Sequence, residues 1–187
     1  MQTLTMYWMP IVISAVLCHI ASALIWMVLP LHKHDYKNPG DKEKPILDFV
    51  RSMAFAPGVY YVPWCGHGAD RKNPANIEKM KAGPYAMLTV MPGMPNIGRS
   101  MGMWIVNLLL IGFGVAYIAG SAGLPHTASY MQVFKVCGLI AFMAHAGNAL
   151  TMSIWMGQPW SQVPGRVIDA LIYASLTAGT FAWRWPH

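Results

Sequence analysis

The sequence predicts an all-α integral membrane protein, a four-helix bundle with an ordered cytoplasmic loop between its first and second spans. Three observations lead there. Charged residues make up 11% of the 187-residue chain and hydrophobic residues 55%, whereas about 25% of a soluble domain is charged. Four stretches, about 7–29, 101–122, 130–152 and 167–185, are long and almost free of charge. Each approaches the ~20 residues that a helix needs to cross about 30 Å of hydrocarbon. The alternating ten-residue segments of a membrane β-barrel are not seen.

The first span follows no basic residue, and its apolar run exceeds the 7 to 15 residues or so of a signal-peptide core. It therefore reads as a retained helix. Ser14, Cys18 and Ser22 recur every fourth residue and share a face, with His19 beside it. Trp26 belongs at the headgroup level, and Pro30 helps to end the helix.

Residues 31–100 carry most of the charge, ten of the thirteen Lys and Arg and six of the seven acids. The positive-inside rule places this segment in the cytoplasm and both termini in the periplasm. Its basic excess lies beside the membrane, so anionic lipid headgroups are its expected partner, and nucleic acid is not. Within it, "KPILDFVRSMAFAPG" has Ile46, Phe49, Val50 and Met53 at helical spacing, an amphipathic helix suited to a membrane surface. "GVYYVPW" and "YAMLTVM" favour strands, enough for a two-stranded ribbon. Asn73 as N-cap, Pro74 as first helical residue and Gly83–Pro84 as stop bracket a second short helix. Three cysteines, Cys18, Cys65 and Cys137, form no C-x-x-C motif.

"TVMPGMPNIGRSMGMW" leads into the second span. Gly93, Pro95 and Gly98 set a bend, Asn96 or Ser100 caps the helix, Arg99 snorkels to headgroups and Trp104 anchors the interface. Further on, Gly112, Ala116 and Gly120 form a small-residue ridge that permits close helix approach. The third span places Ala141, His145, Asn148 and Met152 on one face. The fourth does the same with Asp169, Tyr173, Thr177 and Thr180. Arg166, one turn before Asp169, is that carboxylate's expected partner.

"YAMLTVMPGMPNIGRSMGMW", "VAYIAG" and "DALIYASLTAGTFAWRWP" together resemble a group of uncharacterised four-span bacterial inner-membrane proteins of about this length. The likeness covers most of the chain. It implies the fold and the inner membrane, and no activity or functional residue comes with it.

For function, the residues support three readings. The preferred one is non-enzymatic, a small accessory or assembly subunit of a larger inner-membrane complex, or a homo-oligomer. The sequence contains no H-E-x-x-H, P-loop or G-x-G-x-x-G. The second is a metal- or haem-binding membrane protein. His19 and His145, on different spans, have the chemistry of axial haem ligands. His32, His34, Cys65, His67, Met91 and Met94 offer the imidazole and sulfur donors that suit copper. The third is a small membrane enzyme or carrier using the intramembrane polar residues Asp169, His145 and Asn148.

Overall fold

The computed structural model describes residues 2–121 and 123–186, with side chains from Met6 onward; Ala122, the expected end of the second span, lies outside them. The chain is mostly helical and divides into two compact units. One contains the chain up to Lys37 together with everything from Asn96; the other is Asn38–Pro95.

The first unit is built from four long helices, α1 (Gln2–Ala23), α4 (Ile97–Ser121), α5 (Tyr130–Trp155) and α6 (Val163–Trp183). α1 packs on α4 and α6, and α5 packs on the same two, so α1 and α5 stand diagonally across the bundle. The core at one end joins Tyr7, Ile11, Val115, Val133, Cys137 and Phe181. At the other it joins Ala15, Cys18, Ile25, Leu108 and Tyr173. Three helices are long and apolar enough to cross a membrane, at Met6–Val28, Ile97–Ser121 and Tyr130–Trp155. α6, the fourth expected span, does not reach the same apolarity. Asp169, Thr177 and Thr180 lie on it, all buried, so its polarity is turned into the bundle.

Local signals explain where the helices start. Asn96 Oδ1 accepts from Arg99 N at 2.9 Å and caps α4. Ser129 and Gln132 form a capping box at the start of α5, each side chain accepting from the other's backbone N–H. α1 ends unusually. It runs into a π-helical turn, Leu24–Val28, then Leu29 is extended and Pro30–His32 forms a 3₁₀ turn. Such turns rotate the following residues relative to a regular helix. Here the consequence is that Trp26 and His32 stack, with ring centroids 3.8 Å apart and planes 3° from parallel.

The small-residue ridge is used inside the chain's own bundle. Gly112 lies against Ile11 of α1, where a Cβ would meet Ile11 Cγ2 at 3.2 Å, and Ala116 is buried. Gly120 is half-buried. Trp104, the expected interfacial anchor, also contacts α1. It is half-buried, and its indole N–H donates to Ser22 Oγ across the bundle at 3.0 Å.

The second unit contains α2 (Glu43–Ser52), α3 (Pro74–Ala82) and an antiparallel ribbon of β1 (Gly58–Val62) with β2 (Ala86–Val90). Tyr60 pairs with Leu88 at the ribbon's centre. α3 begins as its sequence indicates, with Asn73 Oδ1 accepting from Ala75 N and Pro74 first in the helix. It stops at Gly83, whose φ of 53° lies in the left-handed region that glycine adopts without strain. α2 carries Lys44, Asp48 and Arg51 as an ion-paired polar face. Its opposite face leaves Ile46, Phe49 and Met53 exposed.

Candidate functional site

The most concentrated polar chemistry among the described residues sits at the end of the bundle where α1 finishes and α6 begins. His32 lies there between two carboxylates. Its Nδ1 is 2.7 Å from Asp35 Oδ2, and its Nε2 is 2.9 Å from Asp169 Oδ2. The imidazole and Asp169 are buried, and the Asp35 side chain is 12% exposed. An ionised carboxylate only accepts hydrogen bonds. With both carboxylates ionised, both ring nitrogens must carry protons, and His32 is an imidazolium. Burial works against that cation, but the hydrogen bonds and charges of Asp35 and Asp169 outweigh it and raise the pKa of His32 above its ordinary 6.5.

Several elements hold this arrangement. Trp26 covers one face of the imidazole. Gly165, in the first turn of α6, lets the ring approach, since a Cβ there would meet His32 Cε1 at 3.2 Å. Gln162 Nε2 donates to the Asp35 carbonyl, and Arg166 donates to Gln162 Oε1 at 3.0 Å. The expected Arg166–Asp169 pair is therefore not formed: Arg166 turns back toward Gln162, and Asp169 takes His32 instead. Gly165→Val is expected to displace the imidazole and lower thermal stability by about 1–3 kcal/mol. An unfolding curve superimposable on wild type would show that the approach is not tight.

Deeper in the bundle, Tyr173 lies one turn beyond Asp169 on α6. Its ring centroid is 5.2 Å from that of His145 on α5 and 6.2 Å from that of Trp104 on α4. Cys18 Sγ donates to the Tyr173 carbonyl at 3.5 Å and lies 3.6 Å from Thr177 Oγ1. Two buried acceptor-capable atoms next to this group lack a hydrogen bond, Asp169 Oδ1 and His145 Nε2. His19 Nδ1 is a third orphan, on α1.

The sequence-predicted residues are thus only partly brought together. Asp169 and His32, named for different roles, form one cluster. His19 and His145 lie on diagonal helices; the Trp104 indole is bonded to Ser22 of α1 and lies 6.5 Å from the His145 ring. Of the copper candidates, His32 has both nitrogens engaged by carboxylates and no lone pair to give a metal. His34 is exposed in the same unit. In the second unit, Cys65 is buried and its thiol donates to the carbonyls of Pro63 and Asn76. His67 packs edge-on against Trp64, and Met91 and Met94 are exposed. Among the described residues, no group of three or more His, Cys, Asp or Glu could hold a metal ion.

Asn148 is also placed differently from the expectation. Ala141 is buried and His145 half-buried, whereas Asn148 is exposed. The face read as one in sequence straddles the bundle's edge. Sequence reasoning placed Trp26 at the headgroup level and did not join Asp35 or Trp26 to Asp169; the local signal for part of the cluster was the spacing of His32 and Asp35, three residues apart. No protein-family model, curated protein or solved structure matches the chain.

Proposed function

We propose that the chain is a four-span bacterial inner-membrane protein acting as a small non-catalytic subunit, seated through the outer face of α5 on a larger membrane complex or on a second copy of itself. One observation carries this proposal. Ala144, Gly147, Asn148 and Thr151 follow one another along α5 at helical spacing, all of them exposed. A Cβ on Gly147 would meet nothing within 4 Å.

Depth makes this stripe meaningful. α5 has 26 residues, a length of about 39 Å against about 30 Å of hydrocarbon. Asn148 is seven residues, or about 10 Å, from the Trp155 end. With the helix overhanging the hydrocarbon by about 4–5 Å at each end, Asn148 lies about 6 Å inside that layer, and it has no hydrogen-bond partner among the described residues. An amide facing lipid is costly, and a neighbouring helix that approaches over small residues can relieve it. α6, with 21 residues, is about 32 Å long and suffices as the fourth span. Four spans put both termini in the periplasm and the 38–95 unit in the cytoplasm, with its lysines and arginines near anionic headgroups.

The test is native mass spectrometry of tagged protein released from its own membrane in the mildest effective detergent. A stoichiometric partner or a dimer is expected, and Gly147→Trp or Asn148→Leu is expected to lose it at unchanged helix content. A monomer in wild type, or full retention in both variants, refutes the proposal. Reporter fusions at the C-terminus and within 38–95 are expected to report opposite sides of the membrane. The same side for both would remove the fourth span.

A further inference from the structure

We propose that Asp169 is a proton-binding site inside the bundle, taking up one proton on Oδ1 while Oδ2 continues to accept from His32 Nε2–H. The ligand is the proton itself.

Three features of the site lead to this. The first is the charge count. Two carboxylates share one imidazolium, which leaves an uncompensated negative charge in a buried place. Like-charged carboxylates sharing one site do not both stay ionised readily. The second is the orphan oxygen. Asp169 is 6% exposed, its Oδ2 is bonded to His32, and its Oδ1 is buried without a hydrogen bond of good geometry, the Trp26 indole N–H being the donor near the carboxylate. A buried acceptor left unsatisfied calls for an explanation. The third is space. Solvent does not reach Oδ1. A metal ion needs room and several oxygen ligands, whereas a proton needs no volume.

The groups around Asp169 leave the extra charge uncancelled. From its own helix, Arg166 is engaged by Gln162, and Tyr173 is neutral at ordinary pH. The segment after α1 contributes His32 and Asp35, one cation and one anion. The π-helical turn contributes the Trp26 indole, which lies close to Asp169 and Tyr173. α1 adds the Cys18 thiol, bonded to the Tyr173 carbonyl. α4 and α5 add the Trp104 and His145 rings, which pack against Tyr173. No second cation faces the carboxylate among the described residues. Proton uptake would change the bond that holds residues 30–37 to α6 from an ion pair to a hydrogen bond between the imidazolium and a neutral carboxylic acid, so occupancy of this site is coupled to that junction.

The experiment is an infrared pH titration of the full-length protein in lipid, following the C=O stretch of protonated carboxylic acids in H₂O and D₂O. Exposed carboxylates are ionised above about pH 5. Wild type is expected to show a deuterium-sensitive carboxylic band persisting above that pH, and Asp169→Asn is expected to lack it. Asp35→Asn removes the competing carboxylate, so the band should persist but titrate about one pH unit lower. The proposal is overturned by the absence of such a band, by the same band in Asp169→Asn, or by its loss in Asp35→Asn, which would assign the proton to Asp35. If Asp169→Asn does not fold, Asp35→Asn decides: a downward shift supports Asp169, and an unchanged midpoint refutes it.

Discussion

His32→Ala is expected to destabilise the bundle by about 3–5 kcal/mol near pH 6, the range measured when one partner of a buried ion pair is removed. Among the described residues, the imidazole is the group that joins Asp35 to Asp169. Without it, two largely buried carboxylates face one another across a cavity, Trp26 loses its stacking partner, and the Gln162–Asp35 hydrogen bond is left to tie residues 30–37 to the start of α6. The effect has a defined pH dependence. The folded pKa of His32 is raised above the ordinary 6.5, so folding favours the charged ring. The stabilisation is complete below the unfolded value of about 6.5 and fades as pH rises through the higher folded value. The gap between wild type and His32→Ala should therefore be larger near pH 6 than near pH 9. Unfolding in mixed micelles, followed by far-UV circular dichroism at both pH values, measures it. A gap below about 1 kcal/mol, the scale of an exposed pair, or one that does not change with pH, would mean that the cluster contributes little to the fold.

That cluster also marks where sequence reading stops being sufficient. The bundle's helices could be read from composition and length, and the starts of α3 and α4 from Asn73 and Asn96, because a cap depends on residues within one turn. The β1–β2 ribbon could be read from two β-prone runs. The buried face of α6 was legible from Asp169, Tyr173, Thr177 and Thr180, which recur at three- and four-residue spacing. The partner of Asp169 was not, since it is 137 residues away in the chain. Arg166 was the nearer candidate, and nothing local reveals that its guanidinium is drawn to Gln162. The π-helical turn is equally silent in sequence, yet it sets the position of Trp26 against His32. α6 shows the opposite conflict. Its inward polarity is the feature that makes it a good fourth wall of a bundle, and it is also what lowers its apolarity below that of the other three long helices.

Gly112→Leu should produce the second large effect, and it separates two uses of small residues in this protein. At Gly112 even a Cβ would stand 3.2 Å from Ile11 Cγ2, 3.4 Å from Ile11 Cα and 3.5 Å from its carbonyl oxygen. Two of these neighbours are backbone atoms of α1, so a larger side chain can be accommodated only by moving the helices apart. Overpacking of this kind costs about 1–3 kcal/mol. In a bilayer the loss is compounded, because apolar side chains gain little from leaving lipid and close packing carries much of the association. Gly147 is the matched control. It is also a glycine in a long apolar helix, but it looks onto open space. Gly147→Leu should leave the unfolding curve of the isolated chain close to wild type, apart from a small gain in helix propensity. Partner binding should respond in the reverse order, lost in Gly147→Leu and retained by whatever fraction of Gly112→Leu remains folded. Equal stability of the two variants would mean that the α1–α4 contact yields without cost. Loss of partner in Gly112→Leu alone, at wild-type stability, would move the docking face from α5 to α4.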